Sequence, residues 1–300
     1  HCRLRRQRQM CIRDSYRPHV PFVAPKKYFD LYDSADFTVP QSIDGYLNTI
    51  PEPAAISVRR KKEQVDLDPD LAKEIKLAYY ATTSFMDAQI GRVLDKLKAS
   101  GLDKNTIIVF TSDHGYHLGE HGHWQKQTLF DDATRVPLII SGPGVTTTNE
   151  VVKSPVELID LYPTIMDVVN FQIPSFVSGK SLVPYFKNSK LTIRNSALTE
   201  LQVNIKNRKA QGYGINTNRY RFNQWHDKGV YSYELYDHKF DDAELENLAN
   251  FPKYKSIKDS LLTVLESRIS EANMVPIGLG KQINNAIPMF EPKRFFPKSK

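Results

Sequence analysis

Apolar positions along the chain fall into two regimes: helical stripes and short apolar runs from Asp68 to about residue 190, then every-second-residue alternation from Arg194 onward. The longest stripe is Ile75, Ala78, Tyr79, Met86, Ile90, Val93, Leu94 and Leu97. It predicts one packing helix, opened by Asp68 as N-cap with Pro69 in the first helical position and closed at Ser100-Gly101. A strand from Thr106 to Ser112 follows, and its run Ile107-Ile-Val-Phe110 suits burial on both faces of a parallel sheet. A second strand, Val136 to Ser141, ends in Gly142-Pro-Gly144. Helix followed by strand is half of a doubly wound α/β unit. Ser154-Pro155-Val156-Glu157 reads as a capping box with proline at N1, opening a helix that runs to Val169. Upstream of the long helix, Pro18, Pro21 and Pro25 impose an extended course, and residues 33–67 are loop-rich.

The second regime predicts four short strands, Ser196 to Glu200, Gly212 to Asn216, Tyr220 to Trp225 and Tyr233 to Tyr236, as a small antiparallel sheet. A last helix from Ser256 to Ala272 would pack Ile257, Leu261, Leu262, Val264, Leu265 and Ile269. The expected organisation is a basic segment 1–15, an α/β region 16–190, a C-terminal α+β subdomain 191–272 and a flexible, proline-bearing tail 273–300.

Composition changes this picture little, because 300 residues of ordinary globular composition can bury a real core. The formal charge is +7, but Arg3, Arg5, Arg6, Arg8 and Arg13 supply five of those charges, leaving 7 − 5 = +2 for the rest. The basicity is terminal, which argues against a nucleic-acid partner. That opening lacks helical periodicity and a signal-peptide core, and reads as a foreign junction rather than a polyanion-binding arm. It also holds both cysteines, so the body of the chain has no disulfide and compartment cannot be read from cysteine usage. No stretch is long and apolar enough to span a membrane.

Candidate chemistry gathers where the Thr106 strand ends, at Asp113-His114-Gly115. Ligands of open α/β sheets collect at the carboxyl ends of strands. The following loop adds His117, Glu120, His121, His123, Trp124 and Lys126, with Gly119 and Gly122 but no proline, so it is a shaped segment. Each residue alone has a plain structural role. Asp113 can cap a turn, Lys126 can be a solvated charge, and His19 on its stiff proline loop can simply satisfy backbone groups. Their combination in one stretch at the end of an apolar strand makes Asp113 and His114 the first site candidates.

The segment Ser112 to Ile140 resembles the second metal-ligand segment of the formylglycine-dependent sulfatases. Its Asp-His, where most members carry Asp-Asn, is similar to the iduronate-2-sulfatase-like branch. The resemblance implies an alkaline-phosphatase-like doubly wound sheet, present in part, with a small C-terminal α+β subdomain containing an antiparallel sheet. It implies that Asp113 and His114 ligate a divalent cation, calcium ahead of magnesium or zinc, and that Lys126 contacts the substrate sulfate. Pro18-His-Val-Pro-Phe22 resembles the family block in which the histidine faces the sulfate, so His19 joins the site as a proton donor to the leaving alcohol. Blocks at Val156 to Thr164, Ser178 to Val183 and Tyr233 to Ala249 resemble later parts of the same family.

The resemblance runs from Tyr16 to Ala272 and corresponds to the C-terminal part of a sulfatase. The family's Asp-Asp pair and its formylglycine cysteine belong to the missing N-terminal half. Neither Cys2 nor Cys11 begins Cys-x-Pro/Ala-x-Arg, so this chain has no nucleophile. The expectation is a metal-assisted sulfuric ester hydrolase acting on a sulfated sugar, inactive as this fragment and exported by family analogy. Two alternatives stand beside it: a zinc-dependent phosphodiesterase or phosphatase of the alkaline-phosphatase superfamily, and a non-catalytic sulfated-glycan-binding protein using the arginine-rich arm and Lys126. Glu120-His-Gly-His-Trp-x-Lys126 favours the sulfatase.

Overall fold

The structure is a computed structural model and describes residues 15–40, 45–64, 67–147 and 149–274. The arginine-rich opening up to residue 14 and the tail from residue 275 lie outside the described residues. Helix α1 is a single turn, Lys26–Phe29, and α2 is Glu52–Val58. The long helix α3, Pro69–Ala99, forms as its caps dictate. The Asp68 carboxylate accepts from the amides of Asp70 at 3.1 Å and Leu71 at 3.0 Å, and Gly101 leaves the helix at φ +69°. Its packing is aromatic: Tyr79 meets Phe22 edge-on at 5.6 Å and stacks on Tyr116 at 5.6 Å. The proline-rich segment and the loop after β1 are thereby held against one helix. The stripe is not covered to its end, since Val93 and Leu94 are exposed.

Strands β1, Ile108–Thr111, and β2, Leu138–Ser141, pair antiparallel, Ile108 opposite Ser141 and Thr111 opposite Leu138. The apolar run led to the expectation of a parallel neighbour. Apolar character reports burial and not direction, and here the chain returns through the loop and the short helix α4, Asp131–Thr134, with no crossover helix between the strands. Among the described residues no other strand flanks this pair, and β1 is half-buried along its whole length. The architecture is α/β with antiparallel sheets.

Helix α5 spans Leu161–Val168 and begins later than the sequence suggested. The reciprocal cap belongs to Glu157 and Asp160, with the Glu157 amide donating to Asp160 Oδ2 at 2.9 Å. Ser154 instead donates to Leu191 O at 3.1 Å. Buried Arg194 pairs with Asp160 at 2.5 Å and Glu157 at 3.0 Å, so the two carboxylates have a cation to hold as well as a helix to cap.

The second half is a four-stranded meander, β3 Ala197–Ile205, β4 Arg208–Asn216, β5 Tyr220–Asp227 and β6 Val230–Asp237, in sequential order. The β5–β6 hairpin turns on Lys228-Gly229, both at positive φ, which matches the strands' own twist. One face packs Ile215, Phe222 and Leu235 on Leu261 and Leu265 of α6, Lys255–Asn273. The other buries Val203, Ala210, Trp225 and Tyr236 against Leu129, Phe130 and α2. Gly212 is required there, because a Cβ would stand 2.6 Å from the Trp225 ring. Leu129 and Phe130 sit three and four residues beyond Lys126, so this face anchors the loop that carries the candidate chemistry.

Candidate active site

The turn after β1 is built from its own short polar side chains. Asp113 Oδ1 accepts from the His114 amide at 3.1 Å, and Ser112 Oγ donates to His114 O at 2.9 Å. Gly115 docks the turn on α4 by donating its amide to Ala133 O at 2.9 Å. The approach is possible only for glycine, since a Cβ would lie 2.0 Å from Asp132 O.

This anchoring fixes the His114 ring. Nδ1 lies 2.8 Å from Gly115 O, and a carbonyl only accepts, so Nδ1 carries the proton and Nε2 presents its lone pair. Lys126 Nζ donates to that lone pair at 2.6 Å, and Asp113 Oδ2 stands 3.5 Å from it. A carboxylate, an imidazole lone pair and an ammonium therefore meet at one point on the wall of a cavity of about 1820 Å³. The Asp113 side chain is 84% exposed, and the His114 side chain 31%.

His19 is placed differently. It ends a turn closed by its amide on Tyr16 O at 3.0 Å, and its Nδ1 donates to Val20 O at 2.8 Å. It is exposed and is not among the residues lining the cavity. Three of the four residues expected from the sequence converge, and His19 stands apart. Its segment still reaches the site loop through Phe22, whose ring lies 6.2 Å from that of Tyr116.

The loop histidines turn inward. His117, His121 and His123 are all buried, with rings 5.0 Å (His117–His123) and 5.7 Å (His117–His121) apart. His121 stacks on Phe130 at 3.8 Å, and His123 Nδ1 donates to Val58 O at 2.8 Å, which ties the loop to α2. Burial pushes the pKa of both His121 and His123 down to about 4, and burial followed by the neighbouring His123 and His121 holds His117 well below its ordinary value. All three are neutral at pH 7.

Residues that no local motif announced complete the wall. Asp132 lines the cavity with Lys126 and His238. Burial first, then Glu120, Glu244 and Asp131, push its carboxyl up to about 7, although 40% of the side chain remains open to water. Behind it, fully buried Arg221 binds Glu244 at 2.6 Å and Asp131 at 2.8 Å. The doublet Asp131-Asp132 was visible in the sequence; its pairing with Arg221 and Glu244 was not.

A strand ending in Asp-His-Gly beside a lysine over a broad cavity, backed by a meander and a long helix, is an alkaline-phosphatase-like arrangement. The phosphonate monoester hydrolase of Silicibacter pomeroyi superimposes with TM-score 0.75 at 29% identity, over 86% of this chain and 55% of that one. A 2-O GAG sulfatase shares the fold with TM-score 0.69 at 24% identity, over 79% of this chain and 54% of that one. Residues 7–171 match the sulfatase family model, and residues 119–271 match that of the N-sulphoglucosamine sulphohydrolase C-terminal region. The chain belongs to the sulfatase family. A sulfatase of Formosa agariphila is 34% identical over 83% of this chain and 48% of its own length. Human iduronate 2-sulfatase is 30% identical over 70% of this chain and 50% of its own. The chain spans about half the length of these relatives.

Proposed function

We propose that this chain supplies the cation- and sulfate-binding half of an iduronate-2-sulfatase-like sulfuric ester hydrolase that acts on a sulfated sugar. The observation that carries the reading is the meeting of Asp113, His114 and Lys126 on one cavity wall. Similarity to human iduronate 2-sulfatase and to a 2-O GAG sulfatase supports the substrate class.

The donor set fits a divalent cation. A carboxylate oxygen and the Nε2 lone pair face each other, and the Gly115 carbonyl holds the imidazole in the tautomer that metal ligation requires. Asp113 and His114 would hold the ion, calcium by expectation, and when bound it stabilises charge on sulfate oxygens and acidifies a nucleophile. Lys126 has three N–H donors; an ion on His114 Nε2 would take the lone pair to which Lys126 now donates, which leaves the ammonium free to bind sulfate oxygens as negative charge builds on them. His19 is assigned the transfer of a proton to the leaving alcohol, supported by the Phe22–Tyr116 contact that keeps its segment at the site loop. The nucleophile, a formylglycine, is assigned to a segment that these 300 residues do not contain.

The test is sulfate release from 2-O-sulfated uronate substrates by the protein of the complete reading frame. Lys126→Ala is expected to lower kcat/KM about 100-fold or more, as for loss of one charge-stabilising donor. Unchanged turnover in the variant overturns the role given to Lys126. The likeness to a phosphonate monoester hydrolase favours a second reading, a zinc-dependent phosphodiesterase or phosphatase. Two zinc ions per chain with faster phosphate- or phosphonate-ester turnover would select it; one calcium ion with sulfate-ester turnover selects the first. The glycan-binding alternative rests on the arginine-rich arm, which lies outside the described residues.

A further inference from the structure

We propose that His117, Glu120 and Asp132 form a second divalent-cation site, distinct from Asp113–His114 and suited to Zn²⁺. One ligand atom from each of the three residues lies within 4.8 Å of the others, and neither Asp113 nor His114 belongs to the group. The proposal is independent of the sulfatase reading, because it uses none of the residues that reading assigns.

The observation that points to a ligand is His117. Its side chain is 0% exposed, and its Nδ1 has no hydrogen-bond partner. Leaving such an atom unsatisfied in the interior is costly, so the site needs a reason to keep it. The other ring nitrogen, Nε2, lies 2.8 Å from Thr128 Oγ1. With Nε2–H donating to that hydroxyl, Nδ1 holds a lone pair, the arrangement by which an outer partner orients a metal-binding imidazole.

The nearest carboxylate oxygen, Asp132 Oδ2, stands 3.7 Å from this ring. That is too long for a direct hydrogen bond but close to the separation of two ligands sharing one ion. Donors about 2.1 Å from a tetrahedral ion are about 3.4 Å apart. Glu120 is pre-oriented, because its Oε2 already accepts from the Leu118 amide at 2.5 Å. One imidazole and two carboxylates suit zinc better than calcium or magnesium, which take oxygen ligands almost exclusively. Three protein ligands leave a fourth position for water on the cavity side, where the Asp132 side chain is 40% exposed. His121 stacks on Phe130 and His123 Nδ1 bonds Val58 O; their remaining ring nitrogens are also without partners, but they lie outside the group that includes the two carboxylates. The ion would clamp the loop at residues 117–120 to α4, beside the contact of Gly115 with Ala133.

The test is calorimetric titration of the full chain with ZnCl₂, with Co²⁺ absorption as the reporter of ligand geometry. The double variant Asp113→Asn/His114→Gln isolates the proposed site, and it should still bind one Zn²⁺ and give a four-coordinate Co²⁺ spectrum. Adding Asp132→Asn, at a position 40% exposed, should weaken that binding tenfold or more and abolish the spectrum. Two results overturn the proposal: loss of all stoichiometric Zn²⁺ binding in the Asp113→Asn/His114→Gln variant while it remains folded, or unchanged affinity after Asp132→Asn.

Discussion

Arg221→Met leaves the packing volume of β5 nearly intact and removes one charge from a buried ion cluster with Glu244 and Asp131. Arg221 Nε donates to Glu244 at 2.6 Å, Nη1 to Leu129 O at 2.8 Å, and Nη2 to Asp131 at 2.8 Å and Thr134 at 2.9 Å. Burial works against its charge, but Glu244 and then Asp131 outweigh it and hold the guanidinium above its ordinary value. Arg221 and Glu244 side chains are each 1% exposed, so the substitution strands a carboxylate in the interior. Removing one partner of such a pair costs about 3–5 kcal/mol. Glu244 would keep the Asp131 amide at 2.8 Å and His238 at 2.7 Å, which places the expectation at the lower end, about 3 kcal/mol. Against a typical total of about 5–15 kcal/mol the loss is large. Urea unfolding followed by the fluorescence of buried Trp124 and Trp225 measures it as a shift in midpoint at constant m. Glu244→Gln in the same chain should recover at least about 1 kcal/mol, because it removes the stranded charge. The reasoning is refuted by a loss below about 1 kcal/mol for Arg221→Met, or by strictly additive losses in the double variant.

Gly115→Ala sets a Cβ 2.0 Å from Asp132 O and should lever the turn off α4, costing about 1–3 kcal/mol and weakening the Ca²⁺ binding proposed for Asp113 and His114; thermal melts and calcium titration check both effects. Stability should also fall with acidification in EDTA. Buried His121 and His123 titrate near 4 in the fold and near 6.5 unfolded, so the unfolded chain binds more protons between those values. Their stabilisation is complete above about pH 6.5, declines by up to about 3 kcal/mol each as pH drops to about 4, and is flat below. Urea midpoints from pH 7 to pH 4 read this slope. His121→Phe, which can keep the stack on Phe130, should remove part of it, and an unchanged slope in that variant contradicts the assignment.

Short stretches of chain encode the local part of this architecture directly. The caps of α3 follow from Asp68, Pro69 and Gly101, because capping is a contact with the next turn of backbone. Alternation after Arg194 predicted the meander, and pairing extended each strand beyond its apolar part, as from Glu200 to Ile205 in β3. Asp113, His114 and Lys126 were legible because one loop carries all three and its composition exceeds what a plain turn needs. Other features were decided only when distant segments met. An apolar run cannot say which way its neighbour runs, so the antiparallel pairing of β1 and β2 depended on the path of the returning chain. His117 and Lys126 look alike as polar loop residues, yet His117 is sealed in the interior beside Phe130 while Lys126 lines the cavity. Arg221 meets Asp131 across 90 residues and Glu244 across 23, and no period or propensity records such a meeting. His19 likewise had its neighbours chosen by a turn on its own segment, not by the chemistry of its side chain. Local sequence sets period, caps and turns through contacts a few residues long; the desolvation and charge pairing that shape the cavity wall depend on which surfaces the fold brings together.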